Sequence, residues 1–252
     1  MAKGNLPRWS SPGLINGVQS IHLRQWKYFI DYIFYKLKTP SDYIFRGHRK
    51  DTYKLESTLD RAIKDKSLIP QVRADLLEEF KVSIRGKRGP NPIQYSQDAD
   101  YWALGQHYGL HTPLLDWSHS PFVAAYFAFS QVKSDDTKKR VIFALNKTLI
   151  ERKCKEMMFN EIAFFKPITD ENTRVLNQNG LFSSSESGLE LESWITQTFQ
   201  GSQDSLLLKF YIPKEERRSC LTALDTMNIN HITLFPDLYG ASVYTNMKVL
   251  NI

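Results

Sequence analysis

The sequence predicts an α+β fold in which helices pack on the faces of a mixed central sheet. Short apolar runs typical of strands are interspersed with segments whose apolar residues recur every three or four positions, as in amphipathic helices. The two kinds of segment do not alternate strictly, which favours a mixed sheet over a regular parallel one. The 252 residues are 42% hydrophobic and include 15 Phe, 12 Tyr and 5 Trp, so the chain can bury a large core and is not mainly disordered.

Apolar periodicity and turn residues place the predicted helices. Trp26, Phe29 and Ile33 lie on one helical stripe. Ser120 followed by Pro121 is a good N-cap and first turn, and the segment after it is apolar nearly all round, which predicts a helix deep in the core. The predicted helices cover residues 21–37, 57–65, 71–84, 99–107, 122–130, 148–159, 213–227 and 241–249.

Short apolar runs between turn residues give the predicted strands. They cover residues 43–45, 113–116, 140–145, 174–182, 205–212 and 231–235, the fourth of them broken at Gly180. The polar stretch 183–187 is predicted to be mobile.

One domain is predicted to occupy nearly the whole chain. No repeat, low-complexity tract or linker divides the sequence, so residues 1–20 are predicted to form an N-terminal tail and residues 21–252 a single domain. Residues 1–20 lack the apolar segment of a secretory signal, and no apolar run is long enough to span a bilayer. With two cysteines, too few for a disulfide framework, these features predict a cytoplasmic protein without a membrane partner.

Arg46 is the first candidate site residue, because it leaves a predicted strand and is followed by Gly47. A planar guanidinium binds phosphate or carboxylate through paired hydrogen bonds, and glycine lets a ligand or a backbone approach closely. On residue type alone, an ion pair with a surface acid is the more common role of such an arginine.

A second group of candidates flanks the next predicted strand. Asp116 can accept a proton or hold a histidine ring, and Ser118 can offer a hydroxyl group. Structural roles are equally open to both, with Trp117 as a core residue and His107 as a buried imidazole in the same alternative. Structural roles are favoured for His119 and for Ser120, the latter as a helix cap. The polar and aromatic residues of this group are Gln106, His107, Tyr108, Asp116, Trp117 and Ser118.

Later polar residues complete the candidates. Asp237 is either a site carboxylate or the N-cap of the last helix, and the cap is the better interpretation by itself. Glu190 and Glu192 form a carboxylate pair if their segment is extended, and are surface charges if it is helical. No metal site is predicted, because Gly109 and Pro113 argue against a helix carrying His107 and His111 on one face. The scattered acids likewise disfavour a metal-dependent nuclease.

Several motifs in a fixed order resemble the FRG domain family, named after a Phe/Tyr-Arg-Gly motif. The motifs extend over nearly the whole chain, and the family occurs among bacterial and phage-associated proteins. They are Phe45-Arg46-Gly47-His48, Gln106-His107-Tyr108-Gly109, Leu115-Asp116-Trp117-Ser118 with Ala124-Ala125-Tyr126-Phe127-Ala128, Asn177-Gln178-Asn179-Gly180-Leu181-Phe182, and Leu234-Phe235-Pro236-Asp237.

The chain is more loosely similar to ADP-ribosyltransferases of the Arg–Ser–Glu type. Those enzymes carry Arg-Gly on a first strand and Ser-Thr-Ser before a helix like the one after Ser120. Asp116, Trp117 and Ser118 align with Ser-Thr-Ser, so only the last serine matches. The catalytic glutamate has no clear counterpart, and its candidates are Gln178, Glu190, Glu192 and Asp237.

This second resemblance implies an ADP-ribosyltransferase-like fold, NAD as substrate, and a toxin or phage-defence effector that modifies a protein or a nucleic acid. Arg46 would hold the pyrophosphate or a ribose, Ser118 would orient the ribose on the nicotinamide side, and Tyr108 or Trp117 would stack on nicotinamide. A carboxylate from late in the sequence would stabilise the oxocarbenium-like sugar as nicotinamide departs. The implied catalytic residues are Arg46, Asp116, Ser118, Gln178 and Asp237. The implied NAD-binding residues are Arg46, Gly47, Gln106, His107, Tyr108 and Trp117.

The alternative function is a non-catalytic nucleic-acid-binding module. The chain has 33 Lys and Arg against 27 Asp and Glu, a net charge of +6, and two basic clusters could contact phosphates. Such clusters are more often solvated surface. They comprise Lys81, Arg85, Lys87 and Arg88, and Lys138, Lys139 and Arg140. Convergence of Arg46, Asp116, Ser118 and Gln178 in one cleft would favour the enzyme, and a flat basic face would favour the binding module.

Overall fold

A nine-stranded mixed sheet forms the centre of the computed structural model, which describes residues 7–167 and 173–250. The strand order is β1-β3-β9-β6-β4-β5-β8-β7, with β2 paired to β3. The pair β3–β9 is parallel, and the other pairs are antiparallel. The strands are β1 (Trp9–Ser10), β2 (Leu14–Ile15), β3 (Val18–Leu23), β4 (Tyr43–His48), β5 (Leu114–Ser118), β6 (Lys139–Asn146), β7 (Ile162–Phe165), β8 (Gly180–Ser185) and β9 (Leu207–Pro213).

The helices occupy most of the segments between strands, which confirms the predicted α+β class. They are α1 (Lys27–Tyr35), α2 (Thr58–Ala62), α3 (Ile69–Ser83), α4 (Asp98–His107), α5 (Pro121–Phe129), α6 (Lys147–Glu156), α7 (Thr173–Asn177), α8 (Leu191–Thr198), α9 (Arg217–Thr226), α10 (His231–Leu234) and α11 (Leu238–Leu250). Short 3₁₀ turns precede β4, α3 and α9, at Pro40–Asp42, Lys66–Leu68 and Lys214–Glu216.

The core lies on both faces of the sheet because successive strand residues point to opposite sides. On β6, Ile142 and Ala144 pack with α1, α5 and α9, whereas Val141, Phe143 and Leu145 pack with α6 and α8. The α5 helix is buried against β4, and the Ser120 side chain accepts the Val123 amide as its N-cap. The prediction of a capped helix deep in the core is therefore confirmed.

The N-terminal region differs from its prediction. The segment 21–37 is not one helix, because Ile21 and Leu23 alternate into the core on strand β3 and the helix begins at Lys27. The expected tail over residues 1–20 also ends earlier, since Trp9–Ser10 and Leu14–Ile15 already pair with β3.

Two later segments predicted as strands are wholly or partly helical. Residues 231–235 form α10, because the Asn230 side chain and Thr233 make a reciprocal capping box. The segment 174–182 divides into α7 and the first half of β8. The serine run predicted to be mobile continues β8 as far as Ser185, and Ser183 is buried beneath Trp117.

In the part of the chain that the structure describes, no helix is both long and apolar enough to cross a membrane.

Candidate functional site

The candidate site lies where strands β4 and β5 separate. They share one ladder pair in the described structure, Phe45 with Ser118. Beyond this pair β4 continues along β6, while β5 continues along β8. Arg46 and Asp116 therefore face each other across an opening between two central strands, and this opening leads into a cavity of about 500 Å³.

Gly47 makes this arrangement compatible with helix α5. A Cβ atom at this position would lie 1.8 Å from the Ala124 carbonyl oxygen and 2.7 Å from the Ala128 nitrogen. The close approach that glycine permits here is thus to the α5 backbone. It brings β4 and α5 together and puts Arg46 at the cavity wall.

Arg46 is held by partners on two strands. Its Nε donates to His48 Nε2 at 2.9 Å, and its Nη1 donates to the Asp116 carbonyl oxygen at 2.6 Å and approaches Asp116 Oδ2 at 3.4 Å. No bond of the described structure occupies Nη2. The guanidinium is consequently fixed in orientation while one of its nitrogen atoms still has two N–H groups for an anion.

Both carboxylate oxygens of Asp116 are engaged by neighbouring side chains. Gln106 Nε2 donates to Oδ1, and Arg46 Nη1 approaches Oδ2. Thr112 Oγ1 donates in turn to Gln106 Oε1, which fixes the orientation of the amide. The Asp116 carboxylate stays 59% exposed even so, and can approach a ligand.

The His48 ring holds Arg46 by accepting a hydrogen bond from its Nε. The ring is buried, and burial, followed in importance by the positive charge of Arg46, lowers the pKa of His48 from 6.5 to about 3. The ring is therefore neutral at physiological pH, and its Nε2 can accept the Arg46 N–H group.

Ser118 and Gln178 belong to the opposite wall of the cavity. The Ser118 hydroxyl donates to the Gln178 carbonyl oxygen at 2.6 Å and accepts from the Ser120 amide at 3.0 Å. Gln178 Nε2 donates to the Leu234 carbonyl oxygen at 3.2 Å. These bonds fix the turn after α7 against β5 and the start of α5.

Arg174 and Asp237 close the far side. The Arg174 side chain donates twice to Asp237 Oδ2, and its guanidinium lies 5.3 Å from the Phe235 ring centroid. Asp237 Oδ1 also accepts the Gly240 amide, and Arg174 is the main cause that lowers the pKa of Asp237. Burial, and next the charge of Arg174, lowers the pKa of nearby His107. Arg174 and His107 line the cavity, whereas Asp237 lies behind Arg174.

The cavity wall is strongly cationic. Among the described residues that line it, Asp116 is the one carboxylate. The lining cations are Arg46, Arg49, Lys54, Arg61, Lys133 and Arg174. The aromatic residues of the lining are Phe45, Tyr53, Trp117, Phe127, Phe182 and Phe235. A wall with six cations, one carboxylate and several rings suits a ligand that carries both negative charge and flat apolar groups.

A model of the FRG domain family matches residues 41–137. The chain contains an FRG domain. No curated protein and no solved structure matches the chain. The match includes Arg46, Gln106, Asp116 and Ser118, while Gln178 and the Arg174–Asp237 pair lie beyond it. A single domain over residues 21–252 therefore stays a prediction.

The structure brings most of the predicted site residues to the cavity of about 500 Å³. Besides Arg46, Asp116, Ser118 and Gln178, the cavity is lined by Gly47, Gln106 and His107. The convergence that would favour an enzyme over a flat binding face is thus present.

The two aromatic candidates differ in position. Tyr108 is 75% exposed and does not line the cavity. The Trp117 side chain packs in the core with Leu115, its neighbour on the same strand face, and its Nε1 donates to Ser183 Oγ at 2.8 Å. Trp117 is nevertheless among the residues that line the cavity, although its side chain is buried, and stacking of either ring on a ligand stays a prediction.

The later acids have structural partners. Glu190 is the N-cap of α8 and also accepts the Leu55 amide, while Glu192 pairs with Lys209 at 2.7 Å. Asp237 caps the start of α11, as the sequence favoured. The structure does not place a Glu190–Glu192 pair at the cavity.

The basic clusters proposed to bind nucleic acid are partly neutralised. Lys81 pairs with Glu78 and Asp98, both at 2.8 Å. Arg140 is 99% buried and bonds to Asp136 and to the Arg49 carbonyl oxygen. Within residues 7–167 and 173–250, no three His, Cys, Asp or Glu side chains are grouped to hold a metal ion.

Sequence reasoning missed several cavity cations. Arg174 precedes one of the family motifs, in a segment that the sequence predicts as a strand. Arg49 and Arg61 carry no pattern of their own, and they reach the cavity through the path of the chain after β4. Their position depends on tertiary packing, which a linear motif does not contain.

Proposed function

We propose that the cavity binds NAD and that the FRG-domain protein transfers ADP-ribose from it to an acceptor. The observation that carries the proposal is a cationic cavity with one lining carboxylate, Asp116, held in a fixed orientation. The cations suit a pyrophosphate, and the carboxylate suits a sugar that becomes positively charged. The cavity volume of about 500 Å³ is within the range of small-ligand sites.

Arg46 has the binding role. His48 and the Asp116 carbonyl oxygen hold two of its nitrogen atoms, so the unoccupied Nη2 is directed without a further loss of side-chain freedom. A charge-assisted bond from Nη2 to phosphate is worth about 1.5–3 kcal/mol. Ser118 positions Gln178 through its two protein bonds, and a direct contact of Ser118 with ribose stays a prediction.

Asp116 has the catalytic role. The bond between ribose C1′ and the nicotinamide nitrogen breaks, and its electron pair leaves with neutral nicotinamide. The resulting oxocarbenium-like sugar is stabilised by the negative charge of Asp116. An acceptor hydroxyl or amine then bonds to C1′ and releases one proton to water. With a protein or nucleic-acid acceptor, such a transferase would act as a toxin or a defence effector.

The test is nicotinamide release by the purified full chain, measured by chromatography with NAD alone and with cell lysate as the acceptor source. Asp116→Asn removes the charge and keeps the shape. Electrostatic stabilisation of a transition state predicts a loss of about 10²–10³ in kcat, with NAD affinity changed much less. Glu192→Gln is the matched control, because that carboxylate lies outside the cavity.

If the wild-type chain releases no nicotinamide, either with NAD alone or with cell lysate, the proposed transferase activity is wrong. Equal loss in the two variants would disprove the role of Asp116.

A further inference from the structure

A second cavity adjoins the first and shares part of its wall. It measures about 250 Å³ and extends toward Glu56, Thr58 and His111. Four residues line both cavities: Arg46, Arg61, Gln106 and Asp116. The two cavities are therefore compartments that meet at a boundary containing two arginines and one carboxylate.

The backbone of Arg61 is positioned at this boundary by its short helix, and its side chain is exposed. The preceding residue, Asp60, is buried and accepts from Ser57 Oγ at 2.7 Å and from Arg73 Nη2 at 2.7 Å. The helix is also joined to the strand entering the site, because the Leu59 amide donates to the Thr112 carbonyl oxygen at 3.2 Å. Thr112 in turn bonds to Gln106, the partner of Asp116.

No ion pair of Arg61 exists in the described structure, whereas Arg46 is near Asp116, Arg49 pairs with Asp135 and Asp136, and Arg174 pairs with Asp237. The residues shared by the two compartments are two arginines, Gln106 and one carboxylate, Asp116. Glu56 also lines the small compartment, but it pairs with Lys66 at 2.8 Å, so an excess positive charge remains where the compartments meet.

We infer that the ligand is a two-ended molecule joined by a diphosphate, with the diphosphate bound between Arg46 and Arg61 and one end in each compartment. This inference rests on the proposed function and adds to it: Arg61 becomes a second phosphate-binding residue, and the small compartment becomes a subsite for the second end. A monophosphate would leave one arginine unpaired, and a ligand with one nucleoside would leave one compartment empty.

The experiment is titration calorimetry of the full chain with NAD, diadenosine diphosphate, ADP and AMP. The same ligands are titrated into Arg61→Gln and into Lys64→Gln, an exposed cation of the adjacent turn that lines neither cavity. We expect the two dinucleotides to bind more tightly than ADP, and ADP more tightly than AMP. We expect Arg61→Gln to weaken dinucleotide binding by roughly 10- to 100-fold, the value of a charge-assisted bond, and to weaken AMP binding much less. Lys64→Gln should bind as the wild type does.

The outcomes distinguish the diphosphate arrangement from the proposed binding of NAD. If NAD binds but ADP binds equally well and Arg61→Gln changes nothing, the diphosphate arrangement is wrong and the proposed function stands. If diadenosine diphosphate binds with the expected dependence on Arg61 while NAD does not bind, the arrangement holds and NAD is the wrong ligand. If no dinucleotide binds, both claims are overturned.

A blocking variant tests the small compartment separately. His111 is exposed and lines this compartment, so His111→Trp places a larger ring in its wall. We expect it to weaken binding of both dinucleotides while ADP binding changes less. Equal affinity of the variant and the wild type for every ligand would overturn the subsite.

Discussion

Arg46 donates from Nε to Nε2 of His48 at 2.9 Å, so a ring nitrogen that could be protonated serves as an acceptor. The arrangement requires a neutral imidazole. Burial, and next the charge of Arg46, keeps it neutral by lowering the pKa of His48 to about 3. The position of a cavity cation is thus linked to the protonation of a buried base.

This linkage predicts an acid-dependent loss of stability. In the unfolded chain His48 binds a proton below about pH 6.5, whereas in the folded chain it does so only near pH 3. The unfolded state therefore binds more protons between these values, and stability falls as the pH falls through this window. For this group we expect a loss of about 2 kcal/mol in the free energy of unfolding between pH 7.5 and pH 5.

The measurement is urea unfolding of the wild type and of His48→Gln at both pH values. The variant should be less stable at pH 7.5, yet lose about 2 kcal/mol less on acidification. His111→Gln, at an exposed position, should follow the wild type. Parallel pH profiles of the wild type and His48→Gln would contradict the role of His48.

Gly47→Ala tests the packing of α5 on β4. The new Cβ would lie 1.8 Å from the Ala124 carbonyl oxygen, and backbone atoms can only yield if the helix moves. We expect a loss of about 3 kcal/mol or more in the free energy of unfolding. Gly201→Ala is the control: its Cβ meets open space, so only the left-handed backbone conformation should cost about 1–2 kcal/mol. Equal losses in chemical denaturation would show that the β4–α5 contact is not what requires glycine.

The sequence predicted the fold class and the central helices well because these depend on local patterns. Ser120 with Pro121 is a capping signal that the structure retains. The stripe Trp26, Phe29 and Ile33 is buried as predicted. The errors lie where a local pattern is compatible with both a strand and a helix. Residues 231–235 form a short apolar segment, and the capping box at Asn230 stabilises it as a helix.

The motif residues of the candidate site could be predicted from the sequence, whereas the wall residue Arg61, which the two cavities share, could not. Arg46, Asp116 and Gln106 belong to motifs, and they meet because β4 and β5 are neighbours in the sheet. The late carboxylates were candidates only because they are acidic residues. Residue type does not show whether a carboxylate already has a structural partner, and Glu190 serves as the N-cap of α8. The role of Arg61 as a wall residue depends on where the chain runs after β4, which no periodicity encodes.

Arg46→Lys tests the anion site without removing its charge. Lysine has one terminal nitrogen, so it cannot bond to His48, to the Asp116 carbonyl oxygen and to a phosphate in the fixed geometry of a guanidinium. We expect NAD to bind roughly 10- to 100-fold more weakly, measured by calorimetry. Arg8→Lys, which affects an exposed pair with Asp31, should leave binding unchanged. Wild-type affinity in Arg46→Lys would show that the fork of Arg46 does not bind the ligand.

The loop between α5 and β6 is anchored by a buried carboxylate, and a matched pair of substitutions tests how. Asp136 is 6% exposed and accepts from Arg49 and from Arg140, the latter at 2.6 Å. Hydrogen bonding to Arg140 is the main cause that lowers the pKa of Asp136. Its neighbour Asp135 also bonds to Arg49, at 2.8 Å, but is 56% exposed.

Asp136→Asn should therefore destabilise the protein far more than Asp135→Asn. Loss of the buried charge leaves the buried guanidinium of Arg140 without its counter-ion and leaves Arg49 with the exposed Asp135 alone, and breaking such a buried pair costs about 3–5 kcal/mol. Solvent can replace the exposed Asp135 carboxylate, so that variant should lose much less stability and its loss should shrink with added salt. Because Lys133 of the same loop lines the cavity, Asp136→Asn should also weaken NAD binding. Denaturant unfolding of both variants decides the matter: equal destabilisation would mean that burial of Asp136 does not determine the strength of this anchor.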